Sequence, residues 1–271
     1  MIREPYRALF PLGLLWGALG VALWLLYFID VVPFPIFPHS YIMIFGFFLS
    51  FVSGFLMTAL PKMTGTFAAT AFERAGAMGL ISAGVTCAFL NQLSMAYGFG
   101  VCQIAFLLWF GLRRPHSRTG NRPSGFIFIP TALLWAAFGA SVQTVIYASI
   151  EVPEVLADFA RVAIQEAFLL NLIVGIGGRL IPFLTRVQAV SPQEKVADTN
   201  QSFWIVFAFL NLSFFLEGAG FQRTSWSLRA VVLIFAATSL FKLHLRRAVS
   251  SQLGNVPFRS DPGALANFIP A

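Results

Sequence analysis

The sequence predicts an all-α polytopic membrane protein, with eight transmembrane helices arranged as two parallel four-helix repeats. Three observations lead there. Eight apolar stretches of spanning length recur along the 271 residues. Lysine and arginine gather in alternate loops. A Gly-x6-Pro-x2-Thr frame occurs twice, as Gly54, Pro61, Thr64 and again 121 residues later as Gly175, Pro182, Thr185.

Composition sets the solvent. Hydrophobic residues make up 58%, charged residues 11%, and the mean hydropathy is +0.77. Soluble domains carry roughly a quarter charged residues. A water-facing globule of this size has no room to hide so much apolar surface. A bilayer does, and about 20 apolar residues cross it as a helix. The apolar runs lack the period-two alternation of barrel strands, and lipid leaves helices as the spanning structure.

The spans fall near 8–28, 40–60, 75–94, 97–112, 127–148, 160–181, 202–221 and 226–245. The first follows Arg3 and Arg7 like a signal peptide. It is too long for a signal-peptide apolar core and no small-x-small site precedes Asp30, so it reads as a retained span. The second runs from "PHSYIMIFG" to the first Gly-Pro-Thr frame. Between the third and fourth, "NQLSMAYG" leaves room only for a tight hairpin. The basic loop "RRPHSRTGNRP" precedes the fifth. The sixth carries Glu166 and ends in "GIGGRLIPFLT". The seventh and eighth follow, with His244 at the far end of the last.

Orientation follows from basic residues in short loops. With the N-terminus in the cytoplasm, only Arg161, Arg223 and Arg229 of the 18 Lys and Arg fall on the opposite side. The reading is a multi-pass protein of the bacterial inner membrane with both termini cytoplasmic. Its net charge of +7 is then a consequence of topology, and no nucleic-acid partner is expected.

The 121-residue offset carries the first four spans to 129–149, 161–181, 196–215 and 218–233, overlapping spans five to eight. Phe47 falls on Phe168, Leu49 on Leu170, Gly54 on Gly175, Pro61 on Pro182 and Thr64 on Thr185. The units are 1–122 and 123–271. Each has an even number of spans, so both point the same way, and sites often lie where such repeats meet. In the frame, the Gly lets a neighbouring helix approach. The Pro lies near the cytoplasmic end, where helix termination costs least, and the Thr satisfies freed backbone. The second copy adds Gly178 and Arg179, whose charge can snorkel to the interface. A packing Gly followed by a terminating Pro would read the same way.

Few residues can carry chemistry. Of three histidines, His39 opens the second span beside aromatic residues, His116 sits in the basic loop and His244 lies at the opposite membrane face. His39 is the candidate metal or haem ligand, since neutral imidazole suits both; an interfacial His bound to water is the alternative. Met43 follows one turn on. Glu166 is an intramembrane carboxylate near Arg161 and Asn171, and burial of such a group is costly unless paired. It is either a functional acid facing a cavity shared with His39, or a structural group paired with Arg161, Arg229 or Gln143. Glu217 reads as interfacial. Cys87 and Cys102 flank the tight hairpin, as packing residues or as a disulfide or soft-metal pair. The sequence has no CxxC, HExxH, Walker or nucleophile-elbow motif.

"HSYIMIFGFFLSFVSGFLMTALPKMTG" (39–65) resembles the first motif of the NnrS family of membrane haem proteins. "GGRLIPFLT" (177–185) resembles that family's second motif. The first motif commonly reads His-x-His-Glu; here those positions are His39, Ser40, Tyr41 and Ile42. The family's later Gly-His-Thr-Gly-Arg motif is absent, as if the chain were a short form. The resemblance implies haem binding, through His39 with Met43 nearby, and a role in nitric oxide metabolism or nitrosative stress. Copper on one His without a nearby Cys would be weak. The alternatives are a cofactor-free scaffold subunit of a larger membrane complex, or a small-solute or metal transporter using Glu166. The expected partners are the lipid bilayer and a second copy or larger membrane assembly.

Overall fold

The computed structural model describes residues 4–114, 127–184 and 197–254, with side chains placed except at Met63, 178–184, 197–203 and 239–254. Among the described residues the chain is helical throughout, without a strand. The helices run as α1 (Tyr6–Phe28), α2 (36–64), α3 (Ala71–Phe89), α4 (Leu93–Leu112), α5 (Phe128–Tyr147), α6 (154–184), α7 (Ala197–Gly218) and α8 (Gln222–Gly254). Five of them, α1, α2, α4, α5 and α6, are long and apolar enough to cross a membrane. The expected spans 75–94, 202–221 and 226–245 coincide with α3, α7 and α8, which do not meet that measure over their described residues. The expected unit boundary at 122–123 lies outside the described residues.

Local sequence explains the helix ends. Pro35 precedes α2 and Pro38 sits in its first turn, where a missing N–H costs nothing. Pro153 stands before α6 with Glu154 in the first turn. Thr70 and Glu73 form a reciprocal capping box on α3. Helices α1, α3, α5 and α7 share one device. Each is followed, two residues past its end, by a residue at positive φ: Asp30 (56°), Asn91 (56°), Ser149 (61°) and Gly220 (90°). A left-handed residue there turns the chain sharply and lets its N–H groups satisfy the last carbonyls. The tight hairpin between α3 and α4 is of this kind, with the Gln92 N–H donating to the Cys87 carbonyl at 2.8 Å.

Pro61 does not end α2. The helix continues to Thr64 and stops at Gly65, which takes φ 64°. The Thr66 N–H then reaches back to the Pro61 carbonyl at 3.0 Å. Thr64 Oγ1 donates to the Leu60 carbonyl at 2.8 Å. The left-handed glycine is the stop, because it closes the last turn with hydrogen bonds whereas a proline only removes one.

Helices α2 and α6 each contain a π-helical stretch, Ile42–Phe48 in α2 and Ala163–Ala167 in α6. Their first residues are 121 positions apart. Such widened turns are rare and recur at functional sites.

Helix α1 lies on α2, α3 on α4, α4 on α5, α5 on α6, and α7 on α8 and α6. Between α1 and α2 the approach is close. A Cβ on Gly17 would stand 2.7 Å from the Phe47 ring, and one on Gly54 2.9 Å from the Phe10 ring. In lipid, packing of this kind, rather than apolar burial, holds helices together. Two apolar clusters result. One draws on α1 to α6, with Tyr41, Phe45, Ile104 and Phe168 at its centre. The other draws on α5 to α8, with Phe128, Trp135, Ala167 and Phe214.

Candidate functional site

His39 sits on the last turn of α2 before the π-helical stretch. Its Nδ1 lies 2.9 Å from the carbonyl oxygen of Gly20 on α1. A carbonyl only accepts, so Nδ1 carries the proton and Nε2 keeps its lone pair. The ring meets Trp24 edge-on at 5.5 Å, and Trp24 in turn meets Phe34 and Tyr27 at 5.6 and 6.5 Å. Met43 Sδ lies 3.2 Å from where a Cβ on Gly20 would stand. Gly20 therefore receives both side chains, with its carbonyl orienting the His and its bare Cα admitting the Met. A histidine fixed through Nδ1–H to a carbonyl is the usual arrangement of an imidazole that ligates through Nε2.

Beyond Met43 the π-helical stretch turns an aromatic column inward. Tyr41 stacks on Phe45 at 4.9 Å, both meet Tyr97 edge-on, and Tyr97 stacks on Tyr147 at 5.6 Å. The buried Tyr41 hydroxyl donates to the Ala96 carbonyl at 2.6 Å.

The second π-helical stretch carries Glu166, which pairs with Arg229 of α8. Arg161 does not take part; it binds Asp158 at 2.9 Å on the exposed face of α6. Arg229 also pairs with Glu217 at the end of α7. Its Nε donates to Ser213 Oγ at 3.3 Å, its Nη2 to Ser225 Oγ at 2.8 Å, and its guanidinium lies 4.7 Å from the Phe214 ring centre. Glu217 further accepts from Ser225 Oγ and Trp226 Nε1, each at 3.2 Å. Glu217 is thus buried within the bundle, at the end of α7 beside the turn at Gly220. The cause is Arg229: a guanidinium inside the bundle needs a fixed carboxylate, and the turn at Gly220 brings Glu217 to it. His39 and Glu166 are each committed to their own half, one to Gly20 and the other to Arg229, and no contact joins them among the described residues.

Asn171 lies one turn past Ala167 and is fully buried. It exchanges hydrogen bonds with Asn211 of α7, 3.2 Å in each direction. Asn211 Oδ1 also accepts from Trp135 Nε1 at 2.8 Å. At the opposite end, Arg114 forms a buried clasp with Glu73 at 3.1 Å, lying 3.4 Å from the Phe110 ring centre and donating to the Phe67 carbonyl at 3.2 Å. Sequence reading missed that clasp, although "TAFE" at 70–73 has the capping-box spacing that places Glu73. Cys87 and Cys102 are both free thiols, and Cys102 is exposed.

Gly54 is buried against Phe10 and Leu9 of α1, and Gly175 is buried in α6. Helix α6 runs through Gly178, Arg179 and Pro182, but their side chains, like Thr185, lie outside the described residues. Among the described residues no group of three or more His, Cys, Asp or Glu stands close enough to hold a metal ion.

These features define an integral membrane protein of packed apolar helices, with an oriented imidazole in one half and an ion-paired carboxylate in the other, each at a π-helical stretch. The model of the NnrS protein family matches residues 1–256. The chain belongs to that family. No curated protein and no solved structure matches it.

Proposed function

We propose that this NnrS-family protein binds haem through Nε2 of His39 and acts in nitric oxide metabolism or the response to nitrosative stress. The observation that carries the reading is the Nδ1–H bond from His39 to the Gly20 carbonyl. It fixes the tautomer and aims Nε2 for an iron. An imidazole of this kind suits a haem, and His39 would hold it. Met43, one turn on along the same helix and packed against Gly20, would stand beside it. Trp24 and Phe34 would bound the ring on the α1 side. When bound, the haem iron would supply the site for nitric oxide; the chain supplies orientation, an apolar wall and exclusion of water.

The reading includes an inner-membrane protein of eight spans in two parallel four-helix units. It is supported by the π-helical stretches beginning 121 positions apart and by the left-handed residue after each odd-numbered helix.

The test is an optical spectrum of protein purified in mild detergent after expression with a haem precursor. The expected result is a Soret band that shifts with nitric oxide and is lost in His39→Ala. A Soret band unchanged in His39→Ala, or folded protein without haem, overturns the assignment.

A further inference from the structure

We propose that Glu166 is an exchangeable proton site, loaded from the side of the molecule that carries the turns at 148–153 and 219–221. The Glu166–Arg229–Glu217 network places one guanidinium between two carboxylates. With all three ionised, it holds one negative charge in excess. Inside a bundle of membrane helices an unbalanced charge is costly. One added cation would remove that cost.

The two carboxylates are not equivalent. Glu217 accepts from Arg229, Ser225 and Trp226, and only 7% of its side chain is exposed. Among the described residues Glu166 accepts from Arg229 alone, through Oε2, and 36% of its side chain is exposed. Among the described residues its Oε1 has no hydrogen-bond partner. Hydrogen bonds to a carboxylate favour its charged form, so the proton belongs on Glu166. A metal cation is a poor fit, because sodium-like or calcium-like ions need several oxygen ligands and Glu166 offers one free oxygen.

Among the described residues no other group competes for the role. On α6 itself, Arg161 and Asp158 satisfy one another. Helix α7 brings only Glu217 to the site, and α8 brings Arg229, with Arg223 exposed near its start. Helix α5, which packs on the same π-helical stretch, has no Asp, Glu, Lys, Arg or His; Tyr147 is its one titratable residue. The step is simple in balance: a proton from solvent bonds to Oε1, Glu166 becomes a neutral acid, and Arg229 keeps Glu217 as its counter-ion. The π-helical turn that carries Glu166 is the local loosening from which the carboxyl can reorient.

The experiment is infrared difference spectroscopy on the full chain in lipid nanodiscs, with pH stepped in H2O and in D2O. The expected result is a protonated-carboxyl band that grows as pH falls, moves to lower frequency in D2O and disappears in Glu166→Gln; in Glu217→Gln the band is kept but its midpoint moves to lower pH, because one guanidinium then faces one carboxylate. If Glu166→Gln does not fold, Glu166→Asp is the second variant, and it should shift the midpoint of that band. The proposal is overturned if no carboxyl band titrates while the protein stays folded. It is equally overturned if the band is untouched by the Glu166 variants, if its midpoint is unmoved in Glu217→Gln, or if Glu217→Gln abolishes the band at every pH at which the protein stays folded.

Discussion

Replacing Asn211 with Leu would remove the hub of a buried polar network while nearly conserving volume. Four hydrogen bonds are lost: Trp135 Nε1 to Oδ1 at 2.8 Å, the reciprocal pair with Asn171 at 3.2 Å, and Nδ2 to the Phe207 carbonyl at 2.9 Å. Asn171 keeps its bond to the Ala167 carbonyl at 2.8 Å. Trp135 Nε1 and Asn171 Oδ1 are left without partners, at residues 8% and 0% exposed. Side-chain hydrogen bonds between membrane helices average about 0.6 kcal/mol, and each orphaned buried group costs about 1–3 kcal/mol. The two orphaned groups together put the expected loss at about 2–6 kcal/mol. Asn171→Leu removes the reciprocal pair and the bond to the Ala167 carbonyl but leaves Asn211 with Trp135 and Phe207, and should cost about 1–2 kcal/mol by the same scale. The double variant should cost less than the sum of the two, by about 1 kcal/mol, because the shared bonds are lost once. The assay is reversible unfolding in mixed micelles titrated with a denaturing detergent, followed by circular dichroism so that Trp135 does not report on itself. An Asn211→Leu loss below about 0.5 kcal/mol, or strict additivity, would refute the claim that this network ties α6 to α7.

Two further outcomes rest on close geometry. Gly139→Ala should be severe, about 3 kcal/mol, because the new Cβ would stand 2.7 Å from the Ala160 carbonyl oxygen and 2.6 Å from Ile164, so the backbones of α5 and α6 must part. Gly17→Ala should cost about 1 kcal/mol or less, since it meets only the Phe47 ring, which can turn; the same micelle titration compares them. Arg114→Met should lower the melting temperature in detergent sharply, because Glu73 would stay buried without its main partner, a loss of about 3–5 kcal/mol. Arg114→Lys should recover only part of it, since a lysine cannot lie flat on Phe110 while forking between Glu73 and the backbone.

The helices were legible because apolar runs and loop punctuation are written locally. Their extents were less so. The sequence placed the second span at 40 and the sixth at 160, whereas α2 starts at residue 36 and α6 at residue 154. Both starts follow a proline that was readable as an entry signal, at Pro35 and Pro153. The π-helical stretches left no trace in composition, since they are a shift of backbone hydrogen bonds and not a preference of "IMIFGFF" or "AIQEA". Glu166 was legible as an anomaly, because a lone carboxylate in an apolar run is costly wherever it points. Its partner was harder to choose. Arg161 is five residues away in sequence but faces out to Asp158, and Arg229 reaches the site only through the turn at Gly220. Glu217 was legible only as a helix-end carboxylate; its burial against Arg229 is set by a partner twelve residues on. The orientation of His39 was invisible for the same reason, since its acceptor is a backbone carbonyl 19 residues back.

Helices α5 and α6 each serve both apolar clusters. Leu133 belongs to one and Trp135 to the other; Phe168 to one and its neighbour Ala167 to the other. The dividing line between the two halves thus runs through single helices, not along a seam between helices. Tilting one half against the other would shear contacts on both faces of the same rod.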